Sequence, residues 1–330
     1  MIPALTLAAI MGLTSCHERK SSLTASLPDK FEGKSVELVA FSDSTVLNTG
    51  VVKEGKVVFD NAAILQDEPV LVQLMIDGRI KGYAVIEEGG AVISDSTHIA
   101  TGTPLNDRFA ALMAQMNSVE ETDDMILYAD FAERNYNANK ENVLGQYFGV
   151  EWIKFADPSR LDSLLAKGKE SFVKSPRTQK AIKSSRLRLA TSPGRKYTDF
   201  SITGSDGRKV SLSDFVKPGK YTLVDFWASW CPYCIKELPE LKQIYSDYSG
   251  RGLEIVGVAV RDKKADTEMA VGKHSIPWKV MYEAERVPYD IYGFAGIPHH
   301  ILIGPDGVII SRGESAKQLS ARLAGLIKAE

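Results

Sequence analysis

Cysteine is scarce in this chain. There are three in 330 residues, Cys16, Cys231 and Cys234, so no framework of structural disulfides can hold the fold together. A chain of 330 residues has core enough to do without one, and room for two or three domains. A dominant charge is also lacking. The 40 Lys and Arg nearly balance 42 Asp and Glu, for a formal net charge of −2, and no basic block stands out. Nucleic-acid binding therefore has no support. Internal repeats, low-complexity tracts, and NADPH, flavin or metal motifs are absent as well.

Two of the three cysteines stand together, in Trp227-Ala228-Ser229-Trp230-Cys231-Pro232-Tyr233-Cys234. The preceding Tyr221–Trp227 is apolar and aromatic enough for a buried strand. Beyond the cysteines, Glu237, Leu238, Leu241, Ile244 and Tyr248 recur at helical spacing. Cys231 thus falls at a strand-to-helix turn. Unpaired amide groups and the positive end of the helix dipole there favour thiolate over thiol. The spacing predicts a dithiol that closes and reopens, with Cys231 as the attacking sulfur and Cys234, deeper in the helix, as the resolving one. A Cys-X-X-Cys pair is also half of a zinc site, but structural zinc needs four ligands and no second pair exists here.

Other polar residues near the pair have two readings each. Asp225 lies inside the apolar strand, where a carboxylate is costly unless paired. It is either a strand acid satisfied by backbone or water, or a functional group. Glu237 lies three residues after Cys234 on the same helical face, as solvated surface or as part of the site. His299 and His300 follow Pro298 on a strand, and alternation sends one inward and one outward. A plain strand histidine is the leading reading; the alternative is a donor to substrate or a perturber of Cys231. Trp227 and Trp230 are expected to pack around the dithiol, and Pro239 to kink the helix.

Trp227–Cys234, following Leu223-Val224-Asp225-Phe226, resembles the active-site segment of thioredoxin-fold proteins. The fuller pattern resembles the TlpA/ResA-like membrane-associated thiol–disulfide oxidoreductases. It runs from about Gly194 to Glu330, about two fifths of the chain, and includes Ser205-Asp206-Gly207, Gly296-Ile297-Pro298 and Gly304-Pro305-Asp306-Gly307. The resemblance implies that Pro298 is cis and faces the dithiol. It implies a substrate groove lined by Trp230, Pro232, Tyr233, Ile297 and Pro298. It also implies that Asp225 helps take the proton from Cys234, and that Glu237 tunes thiol acidity.

Met1–Ser15 is apolar and small, and Leu13-Thr14-Ser15-Cys16 resembles a lipobox. The run is too short for a spanning helix, which needs about 20 residues, and suits a signal peptide. It departs from the usual pattern in having no Lys or Arg before the apolar run. The expectation is a signal peptide over 1–15, lipid on Cys16, and a tether over 16–26.

The expected fold class is α/β. A thioredoxin-like fold over 194–330 is preceded by a small antiparallel β domain over 27–103 and a helical segment over 104–190. In the β domain, Val36–Val39, Val57–Phe59, Val70–Ile76 and Tyr83–Ile86 read as strands, with Gly50, Glu54-Gly55, Asp77-Gly78 and Glu88-Gly89-Gly90 as turns. This region resembles uncharacterised β domains that precede redox domains in some bacterial lipoproteins. In the helical segment Phe109, Leu112, Met113 and Met116 make one apolar stripe, and further helices are expected at 125–135, 142–155, 158–169 and 176–189.

These expectations add up to a lipid-anchored, periplasm-facing reductase or isomerase of protein disulfides in the cell envelope. Its redox group is the Cys231–Cys234 pair, without a separate cofactor, and the resemblance implies a membrane thiol-electron donor. A peroxidase is disfavoured, because Ala228 stands where peroxiredoxins place Thr or Ser three residues before the reactive cysteine. A disulfide oxidant is disfavoured because Pro232-Tyr233 is glutaredoxin-like, which implies a potential of about −200 to −230 mV. A redox-responsive binding module built on the β domain is the remaining alternative.

Overall fold

The computed structural model describes residues 20–60, 68–120, 125–166 and 168–327. The expected signal peptide over 1–15 and lipidated Cys16 lie outside them. The described residues form two compact units, one reaching to residue 120 and taking in 141–145, the other holding the rest.

The first unit is a pair of four-stranded sheets around one core. Its strands are β1 (Ser21–Ser26), β2 (Ser35–Ala40), β3 (Val46–Val51), β4 (Lys56–Asp60), β5 (Val70–Ile76), β6 (Arg79–Ile86), β7 (Gly89–Ile93) and β8 (Ala100–Thr101). The sheet orders are β4-β1-β7-β8 and β3-β2-β5-β6. Alternation turns Leu23, Val57, Phe59, Ala91 and Ile93 of one sheet toward Val36, Leu38, Val72, Leu74 and Ala84 of the other. Pairing is antiparallel except between β1 and β7, which run parallel.

Three expectations change here. Residues 21–26 are not tether. The Ser/Thr-rich stretch hides a period of two that buries Leu23 and Ala25, and it pairs with β4 and β7. Gly50 is not a turn residue. It pairs with Val36 inside β3, where a Cβ would stand 2.6 Å from Val57 Cγ2, so close strand packing explains the glycine. Gly89 and Gly90 likewise open β7.

Helix α1 (Pro104–Glu120) closes this unit. Glu87 caps it, accepting from Leu105 N at 2.8 Å and Asn106 N at 3.2 Å. Buried Asn106 exchanges two 2.8 Å hydrogen bonds with the backbone of Val85.

The second unit begins with helices α2 (Met125–Asn139), α3 (Val143–Phe155), α4 (Leu161–Leu165), α5 (Glu170–Lys174) and α6 (Pro176–Ala190). The helical stretch expected as one region thus divides, with α1 in the first unit and α2, most of α3, and α4 to α6 in the second. The single helix expected over 158–169 becomes a short 3₁₀ turn at Pro158–Arg160 followed by α4. The chain turns back at Gly168, where a Cβ would meet Val173 Cγ2 at 2.8 Å. Helix α6 starts as its sequence predicts, with Ser175 as N-cap and Pro176 in the first turn.

Beyond α6 come a hairpin of β9 (Ser201–Thr203) and β10 (Lys209–Ser211), then β11 (Tyr221–Trp227), α7 (Pro232–Tyr248), β12 (Leu253–Ala259) and α8 (Lys264–Lys273). The chain finishes with β13 (Lys279–Met281), α9 (Val287–Tyr292), β14 (His299–Ile303), β15 (Ile309–Arg312) and α10 (Ala316–Leu326). Five strands make one sheet in the order β13-β12-β11-β14-β15, with β11, β12 and β13 parallel and β14 and β15 antiparallel to their neighbours. One face, with Leu223, Trp227, Ile255 and Leu302, packs on Leu238, Leu241 and Ile244 of α7 and Leu319 and Leu323 of α10. The other, with Val224, Phe226, Val258 and Ile301, packs on Phe200, Ile202, Tyr292 and Phe294. This is the expected thioredoxin-like fold.

Helix α9 was not anticipated. It ends at Gly293 with φ of 65°, where a Cβ would meet Leu187 Cβ of α6 at 2.8 Å. Arg312 bonds the carbonyls of Tyr292 at 2.8 Å and Thr191 at 3.2 Å, placing a cation at the C-terminal end of α6. Burial lowers the pKa of Arg312 to about 10, the Arg188 charge adding to it, and burial lowers Arg188 to about 10 as well.

Candidate functional site

The site lies where β11 passes into α7. Cys231 is the N-cap of α7 and Pro232 its first residue. Proline has no N–H to leave unpaired, and the next helix amides remain free to serve the cap. The Cys234 N–H donates to Cys231 Sγ at 3.2 Å. Cys231 and Cys234 are joined as a disulfide, with Cα atoms 5.3 Å apart. The sequence reading expected Cys234 to be the deeper of the two. In the closed disulfide each is 3% exposed, so burial does not distinguish them. Position along the helix does.

The preceding turn is pinned to the end of β12. Buried Asp262 accepts from Ser229 N at 2.6 Å, Ser229 Oγ at 3.0 Å and Thr267 Oγ1 at 2.9 Å. The Trp230 indole N–H donates to the Arg261 carbonyl at 2.9 Å. Sequence reasoning did not find Asp262. Its partners lie 33 and 5 residues away, and only the pairing of β11 with β12 brings them together.

Opposite the dithiol, the Ile297–Pro298 peptide is cis. The Ile297 carbonyl lies 3.7 Å from Cys231 Sγ, and Ile297 packs against the same apolar layer as the cysteines. Trp230 and Tyr233 are 53% and 63% exposed, and Pro232 is exposed between them. Trp230 therefore does not pack over the dithiol as expected. It stands at the surface beside the Arg261 guanidinium, 5.9 Å from the ring centre. Trp227 is the buried partner, 1% exposed.

Below the disulfide lies an ionisable cluster. Asp225 shares the sheet face of Leu223 and Trp227, turned toward α7. His300 stands directly across from Asp225 on β14. Its Nε2 lies 3.3 Å from Asp225 Oδ1 and 3.6 Å from Glu237 Oε2, and its Nδ1 is 2.9 Å from the Glu314 carbonyl. Glu237 Oε1 accepts from Ala316 N at 3.4 Å. Burial by itself pushes the His300 imidazolium down. The hydrogen bond and charge of Asp225, the charge of Glu237 and the Glu314 carbonyl together outweigh it, and the pKa is raised.

His299 points to the opposite face and stacks on Phe294 at 4.8 Å. Burial first, then the Arg312, His300 and Arg188 charges, hold it well below the usual histidine range. It is neutral, and Arg312 donates toward its Nε2 at 3.3 Å. The structure thus brings Asp225, Glu237 and His300 together, and separates His299 from them. The signal available in the sequence was an acid and a histidine inside two apolar strands. Their pairing depends on a register no local pattern reveals. Among the described residues, no group of three or more His, Cys, Asp or Glu is placed to hold a metal ion, and no helix is long and apolar enough to cross a membrane.

Residues 193–312 match the AhpC/TSA family. Over 137 residues the chain is 27% identical to the thiol–disulfide oxidoreductase ResA of Bacillus thuringiensis strain Al Hakam, covering 41% of this chain and 76% of the relative. ResA of Bacillus subtilis strain 168 is 29% identical over 119 residues, covering 36% of this chain and 65% of the relative. Among solved structures, the thioredoxin domain of a thiol–disulfide oxidoreductase from Bacteroides vulgatus is 28% identical. It covers 42% of this chain and 99% of its own, with a TM-score of 0.37.

Proposed function

We propose that this thiol–disulfide oxidoreductase runs in the reducing direction, opening protein disulfides on the outer side of a membrane. The observation that carries the proposal is the Cys231–Cys234 disulfide at the head of α7, with the Ile297 carbonyl 3.7 Å from Cys231. In the reduced state Cys231 sits at the helix N-terminus with an amide N–H directed at its sulfur, which stabilises a thiolate.

The thiolate attacks one sulfur of a substrate disulfide. A bond forms to Cys231, the substrate S–S bond breaks, and the first substrate thiolate leaves. Cys234, as thiolate, then attacks Cys231 Sγ, closing the enzyme disulfide and expelling the second thiolate. Two electrons pass from enzyme to substrate, and the redox group is the cysteine pair itself. In this reading Trp230, Pro232, Tyr233, Ile297 and Pro298 form the groove for an extended substrate segment. Asp225 and Glu237 serve proton transfer below it.

The same proposal places the chain in the cell envelope, held by lipid on Cys16 of the lipobox-like Leu13-Thr14-Ser15-Cys16 and re-reduced by a membrane thiol donor. A peroxidase reading follows from the AhpC/TSA match, but Ala228, fully buried, offers no hydroxyl three residues before Cys231. The test is reduction of the interchain disulfides of insulin by catalytic amounts of the chain with dithiothreitol, against hydrogen peroxide as the competing oxidant. Insulin turnover well above background, without comparable peroxide turnover, is the expected outcome. The reverse result selects the peroxidase.

A further inference from the structure

Two ionisable side chains face α7 from the middle of the sheet, Asp225 and His300, and α7 answers with Glu237. An apolar layer between sheet and helix gains nothing in stability from this over well-packed hydrocarbon. Removing His300 would leave two buried carboxylates without the cation that faces them both. The cluster sits where the exchange reaction has an unmet need. Cys234 must shed a proton before it can resolve the mixed disulfide. It is 3% exposed in the closed state, so water has little access. Glu237 is one helical turn further along α7, on the same face as Cys234. Asp225 lies behind it on the sheet.

Two neighbouring carboxylates in such a layer would ordinarily share one proton, leaving only one as a base. His300 stands between them, within 3.3 Å of one and 3.6 Å of the other. We propose that His300 is a positioning residue that holds the Asp225 and Glu237 carboxylates in place below Cys234, so that the cluster can accept the Cys234 proton during resolution. In the step, the Cys234 S–H proton passes to a carboxylate oxygen and the Cys234 sulfur bonds to Cys231 Sγ. The bond from Cys231 to the substrate sulfur breaks, and its electron pair leaves with the substrate thiolate. Glu237, whose side chain is 23% exposed, returns the proton to solvent. The inference rests on the exchange mechanism proposed above and adds the group that prepares its second step.

The ionisable groups facing His300 are few. Asp225 faces it from β11 and Glu237 from α7, the helix that also carries Cys231 and Cys234. Glu314 follows β15, presents its carbonyl, and ties its carboxylate to Arg322 of α10 at 2.8 Å. His299 and Arg312 meet each other on the opposite face of the sheet. Against the effect of burial, the hydrogen bond and charge of Asp225 and the charge of Glu237 raise the pKa of His300 above the ordinary histidine value.

The test uses the reduced full chain and 5,5′-dithiobis(2-nitrobenzoate) in a stopped-flow instrument. Cys231 attack releases one coloured thiolate and Cys234 resolution releases the second. His300→Gln should lower the ratio of second-phase to first-phase rate by about 10²-fold, the lower range for loss of positioned acid–base assistance. A structural role would move both rates together and leave the ratio unchanged, and that result overturns the proposal. The wild-type chain provides a check that needs no folded variant. Its second phase alone should show a pH inflection above the ordinary histidine value of 6.5, and its absence there overturns the proposal. If wild-type chain releases neither thiolate, the exchange mechanism fails and the role of His300 falls with it. If it releases both and H300Q behaves as wild type, only the role of His300 falls.

Discussion

Cys231→Ser abolishes disulfide reduction, and Cys234→Ser stalls the enzyme as a covalent adduct with its substrate. The two cysteines are equally buried in the closed disulfide, so the asymmetry arises from the helix. Cys231 is the N-cap, and its sulfur accepts the Cys234 N–H at 3.2 Å. Cys234 lies inside the first turn, and its sulfur receives no comparable amide among the hydrogen bonds of the site. A serine at 231 carries a hydroxyl that stays protonated at neutral pH, so no nucleophile remains. A serine at 234 leaves the first attack in place and removes the second. Mass spectrometry of Cys234→Ser after incubation with a disulfide peptide should show the chain plus one peptide half, reversed by dithiothreitol. Adduct on Cys231→Ser instead would exchange the roles of the two sulfurs.

Phe226→Ala costs the second unit about 3–5 kcal/mol, the range for deleting a buried aromatic ring. Phe226 is fully buried on the face of β11 opposite the dithiol. Its ring meets Phe294 at 4.8 Å, Tyr292 at 5.8 Å and His299 at 6.4 Å. The cavity would open between the sheet and the segment from α9 to β14, the segment that delivers Ile297 and Pro298 to the dithiol. All four tryptophans, Trp152, Trp227, Trp230 and Trp278, belong to the second unit, so their fluorescence follows its unfolding without contribution from the first. The urea midpoint should fall with little change in slope. A change below about 1 kcal/mol, typical of surface substitutions, would mean that this layer is not the core that positions the loop.

The parts of the fold legible in the sequence are those that local patterns specify. The apolar run Tyr221–Trp227, the helix after Pro232 and the strand from His299 appear where their periodicity placed them. What escaped depends on distant partners. Ser21–Ser26 is a strand because β4 and β7 flank it, although its own residues read as a solvated tether. Gly50 belongs in a strand because Val57 and Phe59 press on it. Val287–Tyr292 is too short and too mixed to announce a helix, and the end of α6 gives it a place to pack. In the site, the cysteine pair was evident from spacing. His300 was read as an ordinary strand residue because its meaning comes from register. Facing Asp225 across the β11–β14 pairing turns a strand histidine into the centre of an ionic cluster.

The most direct measurement is the reduction potential of the Cys231–Cys234 pair, on the chain from His17 onward. Trp227 and Trp230 closely precede the pair in sequence, so fluorescence across graded dithiothreitol and glutathione buffers reports its state. A single two-electron transition at or below about −200 mV is the predicted result, a potential from which electrons flow to substrate disulfides. A transition near −120 mV would contradict it, since the disulfide would then be a donor of oxidising equivalents and the chain an oxidant.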